Sequence, residues 1–313
     1  MRTTIGQRGL TLGATVAVAA LVLAACGSSN NALAPPPATG SSSPGTITIG
    51  SANFPENVLL ADIYAGALKA KGVNVTTKLS IGAREVYIPA LKDGSIDLIP
   101  EYNGTLLAYF TQSKIPDGVS TSAQVYDALV KTIPPDLEIL EQSAAEDKDT
   151  LAVTRATADK FNLRSISDLT GRAQDLTIAA GPEFAKRRTG IPGLQSVYGL
   201  TFKEFKPLDA GGPLTVAALK SGAVDVGNIF STDSVLKTEG FVALSDPKNL
   251  FLAENIVPLI RKSKNNATVT AALNAVSAKL TTQNLTDALA RVKVDKANPE
   301  AVAADFLAQQ GLS

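Results

Sequence analysis

The chain reads as an α/β protein whose two similar lobes face one cleft. Three observations carry that reading. Short apolar runs of strand length alternate with segments of helical period along most of the chain. One helix–glycine–strand unit occurs twice: Ala90-Leu91-Lys92-Asp93-Gly94-Ser95-Ile96-Asp97-Leu98 returns as Ala218-Leu219-Lys220-Ser221-Gly222-Ala223-Val224-Asp225-Val226. Each copy is followed by an aromatic residue and then a threonine, Tyr102 and Thr105 after the first, Phe230 and Thr232 after the second. Finally, Thr46–Ser313 is long enough for one large domain or two smaller lobes.

Taken in order, Ile47–Ser51 alternates as a strand, and Asn53–Glu56 is a loop whose Pro55 suits the first turn of the next helix. Val58–Ala70 carries an apolar helical face and Gly72 ends it; Val73–Leu79 alternates as a second strand. Arg84–Lys92 is a short helix, with Gly94 where a helix terminus favours positive φ. Ile96–Ile99 is a strand that Pro100 should stop, leaving Glu101–Thr105 as a polar loop at its carboxyl end. In open α/β sheets ligands bind outside such strand ends. Leu106–Phe110 and Ser122–Ile133 are helices, the second capped by Ser120 or Thr121 and broken by Pro134-Pro135; Leu137–Leu140 is a strand.

The first crossing between lobes falls at Glu146–Thr150, leading into the strand Leu151–Thr154. Ser167–Leu169 opens a short helical turn and Leu176–Ala180 is a strand. Gly181–Phe184 starts a helix with Arg187 and Arg188 near its end, where the dipole favours cations. Phe202–Phe205 is strand-like, the second repeat unit follows, and Leu250–Pro258 carries the chain back. The helices Ala271–Leu280, Asn284–Val294 and Pro299–Gln309 should cover the first lobe. This gives lobe I as residues 46–148 plus 254–313 and lobe II as residues 149–253.

The start of the chain is an address. Arg2 and Arg8 precede an apolar stretch, Leu10–Ala25, that is short for a membrane span. It ends Leu23-Ala24-Ala25-Cys26-Gly27, which resembles the lipobox of bacterial lipoproteins. Residues 1–25 are then a signal peptide, Cys26 carries the lipid, and residues 26–45, rich in Ser, Pro, Asn and Gly, form a tether. The expected location is extracytoplasmic, lipid-anchored to the outer face of the cell membrane.

Composition narrows the chemistry. Lys and Arg total 29, as do Asp and Glu, so nothing favours nucleic acid. The chain has no histidine and its one cysteine is Cys26, which removes Ser-His-Asp and Cys-His triads and the commonest metal ligand. No glycine-rich phosphate loop is present. The expectation is a protein that is not an enzyme and needs no cofactor or metal. A cell-surface enzyme and a sensor lipoprotein are the competing readings.

Several segments in this order are similar to the substrate-binding lipoproteins of ABC importers for glycine betaine, choline and related osmolytes. They are Arg84–Leu91, Pro100–Thr105, Ala180–Phe184, Pro192–Leu194, Tyr198–Leu200, the second repeat and Thr232-Asp233. The resemblance implies the two-lobed periplasmic-binding-protein fold, type II-like, with two crossovers and the ligand cleft between the lobes. It also implies a monomer that hands its ligand to a membrane permease driven by a separate ATPase. It places Tyr102 on an aromatic-box position, Thr105 on a carboxylate donor and Phe230 on a second box position. Two further box tyrosines fall near Leu151 and Glu254, neither aromatic, and Ala52 stands where Lys or Gln is expected. Arg187 or Arg188 would be the carboxylate-binding arginine. Two missing rings, at roughly 0.5–2 kcal/mol each, would weaken a quaternary-ammonium site. A neutral hydroxylated or aromatic ligand is therefore the alternative, using Tyr102, Thr105, Arg187 and Asn53. The candidate ligand residues are these together with Asp149, Leu151, Phe230, Thr232 and Glu254; Tyr87 is expected in the core.

Overall fold

The computed structural model describes residues 45–313. The signal peptide, the lipidation site Cys26 and the tether up to residue 44 lie outside the described residues. Ten strands form two five-stranded sheets, ordered β2-β1-β3-β10-β4 and β7-β6-β8-β5-β9. The first sheet holds β1 (Ile47–Ala52), β2 (Val75–Gly82), β3 (Leu98–Tyr102), β4 (Leu137–Ile139) and β10 (Ile256–Arg261). The second holds β5 (Asp149–Val153), β6 (Thr177–Ala180), β7 (Glu204–Pro207), β8 (Val226–Phe230) and β9 (Val242–Leu244). The chain therefore passes between sheets twice, from β4 to β5 and from β9 to β10. In each sheet one arriving strand, β5 or β10, runs antiparallel to its repeat strand, β8 or β3.

Helices α1 (Pro55–Ala70), α2 (Arg84–Asp93), α3 (Asn103–Phe110) and α4 (Ser122–Thr132) belong to the first lobe. Helices α5 (Arg155–Phe161), α6 (Ile191–Tyr198), α7 (Pro213–Ser221) and α8 (Val235–Thr238) belong to the second, and α9 (Ala267–Lys279), α10 (Thr282–Lys293) and α11 (Pro299–Gln310) return to the first. α1 is buried on most sides because the sheet covers one face and α9 and α11 cover others. Its Leu59, Leu60, Ile63, Tyr64 and Leu68 are wholly buried, at about 1.5–3 kcal/mol per large aliphatic side chain. A Cβ on Gly66 would meet Leu307 of α11 at 2.4 Å, so the glycine sets how closely these helices pack.

The structure explains the sequence repeat. α2 and α7 both end on a left-handed glycine, Gly94 at φ 83° and Gly222 at φ 75°. Three residues later an aspartate caps the neighbouring strand. Asp97 Oδ2 accepts from Thr48 N at 3.0 Å, and Asp225 Oδ2 accepts from Thr177 N at 2.8 Å. The aspartate backbones donate back to the same residues, at 2.7 and 2.9 Å. The repeated Asp thus pins β1 to β3 in the first lobe and β6 to β8 in the second.

Four local expectations are corrected. Pro100 does not stop its strand: it lies inside β3, opposite Pro258 of β10. Asn103 N donates to Asn255 O, and Arg261 N to Asp97 O. Pairs in that ladder therefore alternate so that Pro100 and Pro258 meet at a position that exchanges no bond, and neither ring removes one. Glu101–Thr105 is accordingly not a loop: Glu101 and Tyr102 finish β3, and Asn103–Thr105 open α3. Nor do Arg187 and Arg188 sit at a helix C-terminus. Pro182–Ala185 is one 3₁₀ turn, and α6 starts only at Ile191. The strand expected at Phe202–Phe205 forms two residues later, as β7.

Candidate functional site

One cavity opens between the lobes, where β3 and β8 deliver their carboxyl ends. It has about 60 Å³ of space open to the centre of a water molecule. That is several times the roughly 10–15 Å³ a cavity needs to hold one water, so the space admits a few waters or one compact molecule.

Rings make its apolar wall. Phe54, Tyr87 and Tyr102 come from the first lobe, Phe184 and Phe230 from the second. Phe54 bridges the two: its centroid lies 6.0 Å from that of Tyr102 and 5.1 Å from that of Phe230. Tyr102 gains its place from β3, whose period turns the ring into the cleft, while its hydroxyl donates to Glu56 Oε1 at 2.8 Å. Tyr87, expected in the core, is buried but borders the cavity, and its hydroxyl donates to Glu101 Oε1 at 2.8 Å.

The charged groups are unequal. Asp147, Asp149, Glu183 and Glu254 line the cavity, against Arg84 and Arg187. Both guanidinium groups are already forked onto carboxylates. Arg84 donates to Glu101 at 2.9 and 2.7 Å, with Glu101 wholly buried and also accepting from Tyr102 N. Arg187 donates to Glu85 at 3.0 and 2.8 Å, linking the second lobe to α2 of the first. Arg84 also donates to Thr105 Oγ1 at 2.9 Å. What remains is a surplus of carboxyl groups beside ring faces.

Burial controls those carboxyl groups. It pushes Glu254 up to about 8, opposed by the hydrogen bond from Thr105 N at 3.1 Å and by the charge of Arg84. Burial also raises Asp149, against the hydrogen bond from Asn228 Nδ2 at 2.9 Å. Asp147 lies well above the usual carboxylate range through burial and the neighbouring Glu56. A cation among them would restore the ionised forms.

Of the residues expected from sequence, Tyr102, Thr105, Asn53, Asp149, Arg187, Phe230 and Glu254 line this cavity. Leu151 and Thr232 do not. Leu151 follows Asp149 on the same face of β5 but one pleat deeper, wholly buried in the second lobe's core with Ile178 and Phe184. Thr232 is wholly buried and turns to Glu56 of α1 instead. Of the arginine pair, Arg187 faces the cavity, while Arg188 donates to Leu250 O at 3.1 Å. Sequence reasoning missed Phe54, Arg84, Asp147, Glu183 and Asn228 as lining residues. Arg84 and Glu183 stand inside the segments Arg84–Leu91 and Ala180–Phe184, but nothing local marks either as a lining residue.

Residues 45–309 match the family described as the substrate binding domain of ABC-type glycine betaine transport systems. The glycine betaine-binding protein YehZ of Escherichia coli is 27% identical over 278 residues, covering 85% of this chain and 90% of that protein. A glycine-betaine-binding protein of Pseudomonas aeruginosa is 27% identical over 280 residues, covering 85% and 88%. Among solved structures, a glycine betaine/carnitine/choline ABC transporter protein aligns over 85% of this chain and 99% of its own, with a TM-score of 0.66 at 20% identity, a likeness of fold. The family match spans both sheets and every residue of the interlobe cavity, and the chain belongs to the family of substrate-binding domains of ABC-type glycine betaine transport systems.

Proposed function

We propose that the cavity captures one compact quaternary-ammonium ligand, of the glycine betaine or choline kind, for delivery to an ABC permease and its ATPase. One observation carries this: five rings and four carboxyl groups surround a space of ligand size, with both guanidinium groups in it already paired. A quaternary ammonium has no N–H to donate, so ring faces and carboxylate charge are what can hold it. The same balance favours a ligand of net positive charge, because a ligand carboxylate would have to compete with Glu85 for Arg187 or rely on neutral donors such as Thr105 and Asn228. Calorimetry with choline, glycine betaine and tetramethylammonium tests the reading. The expected order places choline tightest; absence of binding by all three, with a neutral polyol or phenol binding instead, would overturn it.

We further infer that lobe I comprises residues 46–148 and 254–313 and lobe II residues 149–253, supported by the strands each sheet recruits. The lipobox-like run ending at Cys26 supports a mature chain starting there and held by its lipid to the outer face of the membrane, as a monomer. One acyl chain anchors weakly, so firm attachment requires more than one.

A further inference from the structure

Behind the aromatic wall, on the side away from the cavity, a second set of contacts joins the lobes. Phe54 and Phe230 divide the two regions, bordering the cavity on one side and Glu56, Thr232, Asp233 and Lys293 on the other. Glu56, in the first turn of α1, is buried and uses both carboxyl oxygens: one accepts from Tyr102, the other from Thr232 Oγ1 of the opposite lobe. Thr232 N donates to Asp147 Oδ1 at 3.0 Å. Lys293, at the end of α10, reaches across to the carboxylate of Asp233 and to Gly211 O at 3.2 Å. Asp233 is 3% exposed and is held by its own backbone bond, Val235 N donating to Oδ1 at 3.0 Å.

We propose that Glu56 and Lys293 form a latch that draws the lobes together before ligand arrives, and that Glu56 links this latch to a ligand-facing ring through Tyr102. Desolvating a charge pair is favourable only when its geometry is complete. Here it is: the aspartate is pre-positioned, the ammonium has a second acceptor, and the threonine donates both its N–H and its hydroxyl. None of Glu56, Thr232, Asp233 and Lys293 borders the ligand space, so their effect on affinity acts through the closed fraction. Apparent affinity scales with the fraction of molecules in the binding-competent state. Loss of the latch should therefore appear mainly in the dissociation rate. The pair Arg187–Glu85 at the cleft mouth also joins the lobes, but Glu85 is half exposed and salt weakens such pairs. The proposal rests on the cavity being the ligand site, and its first readout needs no ligand.

The experiment uses spin labels on Ser113→Cys and Lys186→Cys, which line one recess at the cleft mouth from opposite lobes, in a Cys26→Ala background that removes the only native thiol. Pulsed-EPR distances without ligand should show a substantial short-distance population. Lys293→Met, Thr232→Val and Glu56→Leu should each shift it to longer distances, while Glu56→Gln, which keeps the acceptor, should retain it. Choline affinity should fall about tenfold in the opened variants, within the range of typical coupling between sites, mostly through faster dissociation. Lys293→Met with Asp233→Asn should lose no more than either alone. Unchanged ligand-free distances in both Lys293→Met and Thr232→Val, with only a lower melting temperature, would overturn the latch. Shifted distances in a protein that does not bind choline would support the latch and refute the ligand reading.

Discussion

Glu254 offers the sharpest test of how the cavity holds charge. Its carboxyl group is 2% exposed, and burial pushes it up to about 8 from 4.5 ordinarily. The folded protein therefore keeps a proton between pH 4.5 and 8 that the unfolded chain has lost. That contribution to stability is complete below about 4.5 and declines as pH rises to about 8, by about 5 kcal/mol at about 1.4 kcal/mol per pH unit. A bound cation reverses the preference, because it stabilises the carboxylate. Ligand binding should then expel the proton, and affinity for choline should rise about tenfold per pH unit up to 8 and level off above it, about 100-fold between pH 6 and 9. Calorimetry across that range, in two buffers of different ionisation heat, counts the released protons directly. Close to one proton is expected at pH 6 to 7 and almost none at pH 9. Glu254→Gln should abolish most of the slope, and Asp149→Asn and Asp147→Asn should remove only what remains. A flat affinity profile in the wild type, or a full slope in Glu254→Gln, would refute the reasoning.

Arg84→Met should destabilise the protein by about 3–5 kcal/mol in urea unfolding, because it leaves Glu101 charged, wholly buried and without its forked partner. Leu151→Tyr, which the family pattern suggests as a restored ring, should instead cost about 1–3 kcal/mol by overpacking the second lobe's core, with no gain in choline affinity by calorimetry. Cys26→Ala should yield an unprocessed or released chain, and intact mass spectra of the membrane fraction should show lipid on wild-type Cys26.

Much of the architecture was legible because it rests on short-range chemistry. The two left-handed glycines, the apolar strand runs and the Asp three residues after each glycine all lie within one helix–strand unit. Their joint recurrence therefore reported two lobes before any long-range contact was known. The threonine cap of α4 was readable for the same reason: Thr121 accepts from Gln124 N three residues on. Pro100 was misread because the sequence shows a missing donor but not which side of the strand it falls on. In β3 the missing donor points away from β10, because Pro100 and Pro258 meet at a pair that exchanges no bond, so that ladder loses nothing. The two arginines were misread because the 3₁₀ turn at Pro182–Ala185 looks, over four residues, like the start of a longer helix.

The site's chemistry was harder to read, and the reason is specific. Whether an arginine can bind a ligand carboxylate depends on what already holds it. Arg84 is held by Glu101, 17 positions away in sequence, and Arg187 by Glu85, 102 positions away in the other lobe. Neither pairing has a local signature, so position-by-position comparison left Arg187 or Arg188 as a free carboxylate binder. With those forks in place, the balance around the cavity passes to Asp147, Asp149, Glu183 and Glu254. Two of them, Asp147 and Glu254, also sit where the chain crosses between lobes: Asp147 N donates to Glu254 O at 3.1 Å. Charge in the cavity and hinge geometry therefore share residues. Ionising these groups around a cation changes charge on the very residues that join the crossover segments, so a ligand's charge, and not only its shape, should bear on closure.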